Sequence, residues 1–207
     1  DASGQTTRTV RNIAHNGGAP RWADSVLGIS SEYSGVGWAA YQALGAPDVY
    51  PAYGDIGLAW ASLTPDDQQE YLRLHFPDAA PIDYVQVVET FHPGSLVKVS
   101  ARNPNTNQFE TLWQGAPSVQ PDSARAFTVR FPVTSYNVEE VRLDFDSPAV
   151  PDWNEVDAIG IGLTACGSDV AGVIESPKPR TGGLVRWARP NPFTREVEIA
   201  FTLSEIA

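Results

Sequence analysis

The sequence predicts an all-β fold, specifically an antiparallel β-sandwich of the jelly-roll type. Seven short segments alternate polar and apolar residues or are rich in β-branched residues, as strands are. They recur about every ten residues, with turn-forming Gly, Pro, Asn and Asp between them. This spacing favours antiparallel pairing, because parallel strands need a long crossover between them. The predicted strands are residues 70–76, 82–90, 96–102, 109–113, 126–131, 139–145 and 155–163.

The first of these strands shows the alternation most clearly. Leu72, Leu74 and Phe76 share one face, which we expect to be buried, whereas His75 lies on the other face and points to solvent. Residues 23–29, upstream, are either a further strand or the entry into the loop that follows.

That loop, residues 30–62, is rich in aromatic side chains and is interrupted throughout by Gly and Pro. Gly and Pro prevent a long helix or strand, while the many large rings argue against disorder. We therefore expect a compact, ordered loop with Trp38 and Trp60 in the core. Its carboxylates Asp48 and Asp55 would be held at fixed positions.

Four segments carry a family resemblance: SSEYS (30–34), QALGAPDVYPAYGD (42–55), AWAS (59–62) and WNEVDAI (153–159). Together they resemble the galactose-binding-like β-sandwich, related to discoidin and F5/8 type C domains, over residues 22–163. Gly45 stands where this family has an acid in its first motif. The resemblance implies an extracellular recognition module, with carbohydrate as the leading class of ligand.

Charge narrows the classes of partner. The formal net charge of −11 argues against nucleic acid and anionic membranes, which attract positive charge. No apolar run is long enough to cross a bilayer. The chain contains no Met at all. We favour a mature chain whose export signal has been removed over the alternative, a trimmed chain or chance. We therefore expect a secreted or cell-surface protein. The single Cys166 excludes an internal disulfide.

A calcium site is predicted from Asp48, Asp55 and Glu155. Calcium takes six to eight oxygen ligands, and a kinked loop supplies carboxylates together with unpaired carbonyls. In the resembling fold, the start of the last strand, where Glu155 lies, often closes an ion site. The alternative, which the sequence leaves open, is that the two aspartates cap turns and Glu155 accepts a hydrogen bond.

A carbohydrate site requires exposed rings with polar groups around them, because sugar C–H faces stack on aromatic rings. Tyr50 and Tyr53, which flank Pro51 at a loop tip, are the leading candidates, with Tyr33 and Trp153 as further members of the site. Buried tyrosines with bonded hydroxyls are the alternative.

Catalysis is not expected. The sequence has no GxSxG, HExxH, CxxC or phosphate-binding glycine motif. His15, His75 and His92 lie in different predicted elements, and Glu89 beside His92 reads as a strand end followed by a turn.

The predicted organisation is an N-terminal arm (1–21), the sandwich (22–165), a linker (166–186) and a C-terminal segment (187–207). In that last segment, PNPF and the alternating residues 197–203 resemble the first strand of sorting or Ig-like domains of secreted bacterial proteins. A lone strand needs a partner. We expect that partner in a missing domain or a neighbouring subunit rather than in residues 8–13. The alternative function is therefore a structural subunit that assembles through this strand into a fibre or lattice.

Overall fold

The computed structural model describes residues 19–164, 184–189 and 198–202. The chain divides into two compact units, of which Gly18–Thr164 is the sandwich, close to the predicted range 22–165. Its strands are β1 (Arg21–Trp22), β2 (Ser25–Ile29), β3 (Glu70–Ala80), β4 (Tyr84–Phe91), β5 (Leu96–Asn103), β6 (Gln108–Gln114), β7 (Arg125–Arg130), β8 (Val138–Phe145) and β9 (Glu155–Gly162). Two 3-10 turns lie between strands, at Ala40–Ala43 and Ser147–Ala149.

Two antiparallel sheets make up this unit, so the predicted all-β sandwich is confirmed. One sheet has the order β2-β3-β8-β5-β6 and the other the order β1-β9-β4-β7. All seven predicted strands are present, with ends that differ by a few residues. Residues 25–29 form strand β2, so this segment is a further strand rather than the entry into the loop. Strand β1 has only two residues, too few for any alternation to reveal it.

The core contains the apolar side chains that the alternation selects. Leu72, Leu74 and Phe76 are fully buried, as predicted for one face of β3. Trp60 is also buried, and its ring centroid lies 5.5 Å from that of Phe145 on β8.

Strand β9 is buried along its whole length, on both faces. One reason is that β1 and the residue before it press close to Gly160. A Cβ there would lie 2.7 Å from Pro20 and 2.9 Å from the Trp22 ring. The other reason is the loop of residues 30–62, whose backbone bonds directly to side chains of β9. The two acids that begin β9 are therefore interior groups.

The second unit contains strands β10 (Leu184–Arg189) and β11 (Glu198–Thr202), paired antiparallel. This corrects two expectations. Part of the predicted linker is a strand, and that strand supplies the ladder partner expected from a missing domain or another subunit. The pairing is irregular between Val185 and Ala188, so a strict alternation does not reveal β10. The predicted arm, the rest of the linker, His15 and Cys166 lie outside the described residues.

Among the described residues, no helix has the length and apolar composition needed to span a membrane.

Candidate functional site

An open pocket lies where β9 begins and the loop of residues 30–62 covers it. The space within it and in front of it, open solvent included, is about 300 Å³. Three aromatic rings, two acids and one alanine line it: Tyr33, Trp38, Trp153, Asp55, Glu155 and Ala61.

Buried Trp60 fixes the loop against β9. Its backbone exchanges two hydrogen bonds with Val156, at 2.8 and 3.0 Å, and its indole N–H donates to the Ser31 carbonyl at 3.0 Å. The next residue, Ala61, accepts a hydrogen bond from the Tyr33 amide at 2.9 Å. The buried Trp60 and these backbone hydrogen bonds therefore hold the loop in place beside the pocket.

The Tyr33 ring stands edge-on to both tryptophan rings. The Tyr33 ring centroid lies 5.3 Å from that of Trp38 at 70°, and 5.8 Å from that of Trp153 at 86°. Trp153 is oriented by its indole N–H, which donates to the Ser62 carbonyl at 3.1 Å. Tyr33 is 48% exposed, so a ligand can reach this wall.

Trp38 has a φ of 56°, in the left-handed region that bulky residues rarely adopt. Its amide donates to the Gly57 carbonyl at 2.9 Å, and its carbonyl accepts from the Ala61 amide at 3.2 Å. Such conformations persist where surrounding contacts impose them, and they cluster at ligand sites.

Glu155 forms the floor of the pocket. It is 1% exposed and accepts hydrogen bonds from the Trp38 indole N–H at 2.9 Å and from the Ile56 amide at 3.2 Å. Burial, against the opposing effect of the Ile56 amide and helped by a hydrogen bond with Asp55, raises the pKa of Glu155 to about 8. Glu155 therefore keeps its proton at neutral pH.

The prediction that Trp38 belongs to the core is wrong, whereas that for Trp60 is confirmed. Trp38 is only partly buried and forms a wall of the pocket. An irregular loop has no periodicity, so nothing in the sequence distinguishes the tryptophan that faces inward from the one that lines a surface.

Asp48 lies apart from this pocket, beside Asp157. The buried Asp157 carboxylate accepts hydrogen bonds from the amides of Asp48, Val49 and Tyr50, at 2.8–3.3 Å. Partial burial, followed by the charge of Asp157, raises the pKa of Asp48.

The predicted calcium ligands are thus divided between two carboxyl pairs, Asp48 with Asp157 and Asp55 with Glu155. No group of three or more His, Cys, Asp or Glu positioned for a metal occurs in the described part of the chain. Calcium binding stays a prediction.

Of the four predicted sugar-binding residues, the structure brings Tyr33 and Trp153 together. Tyr50 is 40% exposed but does not line the pocket. Tyr53 is half-buried, donates its hydroxyl to Asp122 at 3.1 Å and packs on Phe91 at 5.5 Å. Its ring is thus used in packing, which is the alternative that the sequence left open.

The acid beside His92 is part of the framework. Glu89 is buried, accepts from the Arg125 guanidinium at 2.6 Å and from the Gly94 amide at 2.9 Å. His92 contacts the Pro151 carbonyl at 3.0 Å, and His75 contacts Asp24 at 2.6 Å. Glu89, His75 and His92 therefore make their contacts outside the aromatic pocket.

Comparison with known sequences gives a partial relative. No family model matches the chain. F-box/LRR-repeat protein 4 of Bos taurus is 25% identical over an alignment 171 residues long, which covers 67% of this chain and 28% of that protein. The chain therefore spans less than a third of that relative's length.

Comparison with solved structures addresses the fold. The chitosan-binding module 1 of a chitosanase/glucanase from Paenibacillus sp. IK-5 superposes with a TM-score of 0.51 and 12% identity, over 70% of this chain and 98% of that one. The chain therefore shares its β-sandwich fold with that module. The structure of reduced XRCC1 bound to the DNA polymerase β catalytic domain matches equally, with a TM-score of 0.51 and 14% identity, over 70% and 97% of the two chains. At these identities the fold is shared, and the fold alone does not select a function.

Proposed function

We propose that the sandwich is a non-catalytic recognition module that binds carbohydrate in the aromatic pocket. The observation that carries this proposal is the exposed Tyr33 ring between Trp38 and Trp153, next to two carboxyl groups. A sugar presents an apolar C–H face to an aromatic ring and hydroxyls at its edge. The aromatic rings of the pocket can contact the C–H face, and its carboxyl groups can hydrogen-bond the hydroxyls.

The acids suit hydroxyl recognition because Glu155 is buried and Asp55 is exposed. Glu155 keeps its proton at neutral pH, since burial raises its pKa to about 8. Asp55 is exposed and provides acceptor oxygens. The likeness to a chitosan-binding module supports the proposal at the level of the scaffold alone.

The same two carboxyls argue against glycoside hydrolysis. Glycosidases hold their pair about 5–9.5 Å apart, so that the scissile bond or a water fits between them. Here Asp55 and Glu155 are in hydrogen-bond contact, which leaves no such gap. We therefore propose binding without turnover, at or outside the cell surface, consistent with the net charge of −11.

A glycan-binding assay on the whole chain tests this function. We expect Trp153→Ala and Tyr33→Ala to lose binding, because each removes a pocket wall. Tyr53→Ala is the matched control, since Tyr53 packs on Phe91 away from the pocket. If the unmodified protein retains no glycan from a broad panel, or if Tyr53→Ala alone loses binding, the proposal fails.

The second candidate function is a structural subunit that assembles through its C-terminal segment. Strands β10 and β11 form a two-stranded sheet in the described part of the second unit. Two strands alone are marginally stable in water, so this sheet favours a further partner. The resemblance of its sequence to a sorting or Ig-like domain supports either a longer domain or a neighbouring subunit as that partner.

A further inference from the structure

We propose that the outer face of the five-stranded sheet docks an acidic peptide segment of a partner protein, whose carboxylates bind around Arg73 and Arg142. We call this surface the basic face and define it by the Lys and Arg side chains that it carries: Arg73, Lys98, Arg102 and Arg142. None of the four lines the aromatic pocket, so the inference goes beyond the proposed carbohydrate function and is independent of it.

Strand alternation places these side chains on the solvent side of the sheet. Arg73 stands between the buried Leu72 and Leu74 on β3. Arg142 has buried neighbours on both sides in β8 in the same way. The side chains of Arg73 and Arg142 are each 37% exposed, so a partner can reach both.

Charge is distributed unevenly over the sandwich. Residues 19–164 contain seven Lys or Arg, and four of them lie on the basic face. The other three are engaged elsewhere: Arg21 with backbone carbonyls, Arg125 with the buried Glu89, and Arg130 with a threonine hydroxyl. Cations are thus concentrated on one surface of a chain whose formal net charge is −11.

The ion pairs within the basic face leave positive charge over. Arg73 and Arg102 share the carboxylate of Glu140, at 2.8 and 3.1 Å, so two cations meet one acid there. Asp144 binds Arg142 at 2.7 Å. These two acids therefore compensate only half of the charge of the four basic side chains.

Arg73 and Arg142 are direct cross-strand partners on β3 and β8. Like charges placed directly opposite each other destabilise a sheet. Glu140 and Asp144 lie on either side of Arg142 along β8, so the acids flank the arginine pair rather than separate its two members. A carboxylate from a partner would supply negative charge at the position where the two cations face each other.

Internal contacts hold both guanidinium groups in place. Arg142 lies over the Tyr71 ring, 4.1 Å from its centroid, and binds Asp144 through Nε and Nη2. Arg73 contacts Glu140 through Nε. Among the described residues, these contacts leave Nη1 of Arg142 and both terminal nitrogens of Arg73 available. Arginine binds carboxylates through two parallel hydrogen bonds, and side chains that are already ordered lose less entropy on binding.

The size of the basic face favours a short acidic segment over a long polyanion. Its four cations lie on three adjacent strands, β3, β8 and β5, which span about 10 Å at the usual strand spacing. A nucleic acid carries a charge at every nucleotide and would extend onto surfaces where acids predominate. A peptide with two or three carboxylates fits within the face.

The surroundings indicate which end of the face the carboxylates occupy. At one end, Asp24 contacts His75 at 2.6 Å, and Glu139 lines a shallow pocket with His75 and Arg102. Acids of the chain itself therefore compete for that end. We expect the partner's carboxylates at the other end, where Lys98 is the cross-strand neighbour of Asp144.

A hexaglutamate peptide with blocked ends is the probe, and hexaglutamine is its uncharged counterpart. Calorimetry on the whole chain at about 20 mM and about 150 mM NaCl measures binding, because salt screens exposed charges. Hexaglutamate should bind at the lower salt concentration and more weakly at the higher one, whereas hexaglutamine should not bind. Absence of hexaglutamate binding at the lower salt concentration overturns the inference.

Arg73→Gln and Arg142→Gln should each weaken hexaglutamate binding about tenfold, as the loss of one charged hydrogen bond allows. Arg130→Gln is the matched control, because it removes an exposed cation outside the basic face and changes the net charge equally. Arg142→Lys keeps the charge but lacks the planar fork, so it should recover only part of the affinity. An equal loss in Arg130→Gln, or no loss in the other variants, overturns the inference. If one glutamine variant fails to fold, the other and Lys98→Gln decide.

Two further measurements test the identity of the partner. Tighter binding of a thymidine hexanucleotide than of hexaglutamate would make nucleic acid the occupant and overturn the inference. Salt-sensitive self-association that Arg73→Gln abolishes would make a second copy of this chain the occupant, with the same consequence. Glycan binding should be unchanged in Arg73→Gln, so failure of the docking inference leaves the carbohydrate proposal standing.

Discussion

Glu155 is a buried acid whose protonation is linked to folding. Its pKa is raised from an ordinary 4.5 to about 8, first by burial and then by Asp55. Between these two pH values the folded protein holds a proton that the unfolded chain releases. This group therefore makes the free energy of unfolding fall as pH rises from about 4.5 to about 8, and makes no further difference above that.

We predict that Glu155→Gln flattens this part of the stability profile. A glutamine carbonyl can still accept from Trp38, and its amide can donate to Asp55, but that amide cannot accept from Ile56, which costs the variant a loss of stability that is the same at every pH. Urea unfolding of both proteins at about pH 5, 6.5 and 8.5 measures the effect. The difference in the free energy of unfolding between the two proteins should move in favour of the variant as pH rises from about 5 to about 8.5. Parallel profiles would show that Glu155 does not carry the proton.

The two loop tryptophans should differ in their contributions to stability. Trp60 is 1% exposed, so Trp60→Ala should lower the free energy of unfolding by about 3–5 kcal/mol. Trp38 is only partly buried, and Trp38→Ala should cost clearly less stability while it reduces glycan binding. Denaturant titrations and a binding assay on both variants separate the roles. The reverse order of stability losses would restore Trp38 to the core.

At the scale of elements, periodicity explains what the sequence could predict. Strands such as β3 alternate between a buried and an exposed face, and that alternation is visible without any knowledge of their partners. The loop of residues 30–62 has no period. Its decisive contacts, such as that of Trp38 with Glu155, join residues 117 positions apart. No local pattern specifies such a pair.

We predict that Asp157 is the main clamp between this loop and β9. Its carboxylate accepts three consecutive backbone amides, those of Asp48, Val49 and Tyr50. Asp157→Asn replaces acceptor oxygen by an N–H₂ group, so at least one buried donor loses its partner. This should cost about 1–3 kcal/mol of stability, measured by urea unfolding.

Asp48→Asn is the control for this clamp. The charge of Asp157 disfavours ionised Asp48, so removing the Asp48 charge should leave stability at neutral pH equal or slightly higher. If Asp48→Asn is as destabilising as Asp157→Asn, the exposed carboxylate has a role of its own, such as metal binding.

At the scale of the whole molecule, the candidate site was predictable in part. Tyr33, Trp153, Asp55 and Glu155 were all selected from the sequence, and they line one pocket. Their grouping is not predictable from the sequence, because the residue types of Tyr33 and Trp153 indicate a sugar site and those of Asp55 and Glu155 a metal site. Tyr50, Tyr53 and Asp48 are of the same residue types as Tyr33 and Asp55 and lie in the same loop, yet they do not line the pocket. Residue type identifies candidates, whereas long-range pairing decides which of them meet.

The calcium site remains a prediction with a direct test. An ion that binds only the folded protein raises its melting temperature by mass action. If Asp48, Asp55 and Glu155 take part, calcium should raise the melting temperature and a chelator should lower it. Because the structure divides these acids, Asp48→Asn and Asp55→Asn should identify which carboxyl pair responds. Identical melting curves with calcium and with chelator would remove the site.

The last prediction concerns assembly through the C-terminal segment. Strand β11 is paired with β10 of the same chain, so it does not need a neighbouring subunit for its first ladder. A two-stranded sheet still favours further strands, because each strand presents a second edge. Removal of residues 165–207 should therefore leave the melting temperature of the sandwich unit unchanged, since Gly18–Thr164 is compact by itself. If the protein assembles through this segment, the same truncation should convert multimers to monomers in light scattering and should abolish filaments in electron micrographs. Unchanged assembly after truncation would leave the structural-subunit candidate without support, whereas glycan binding should persist in either case.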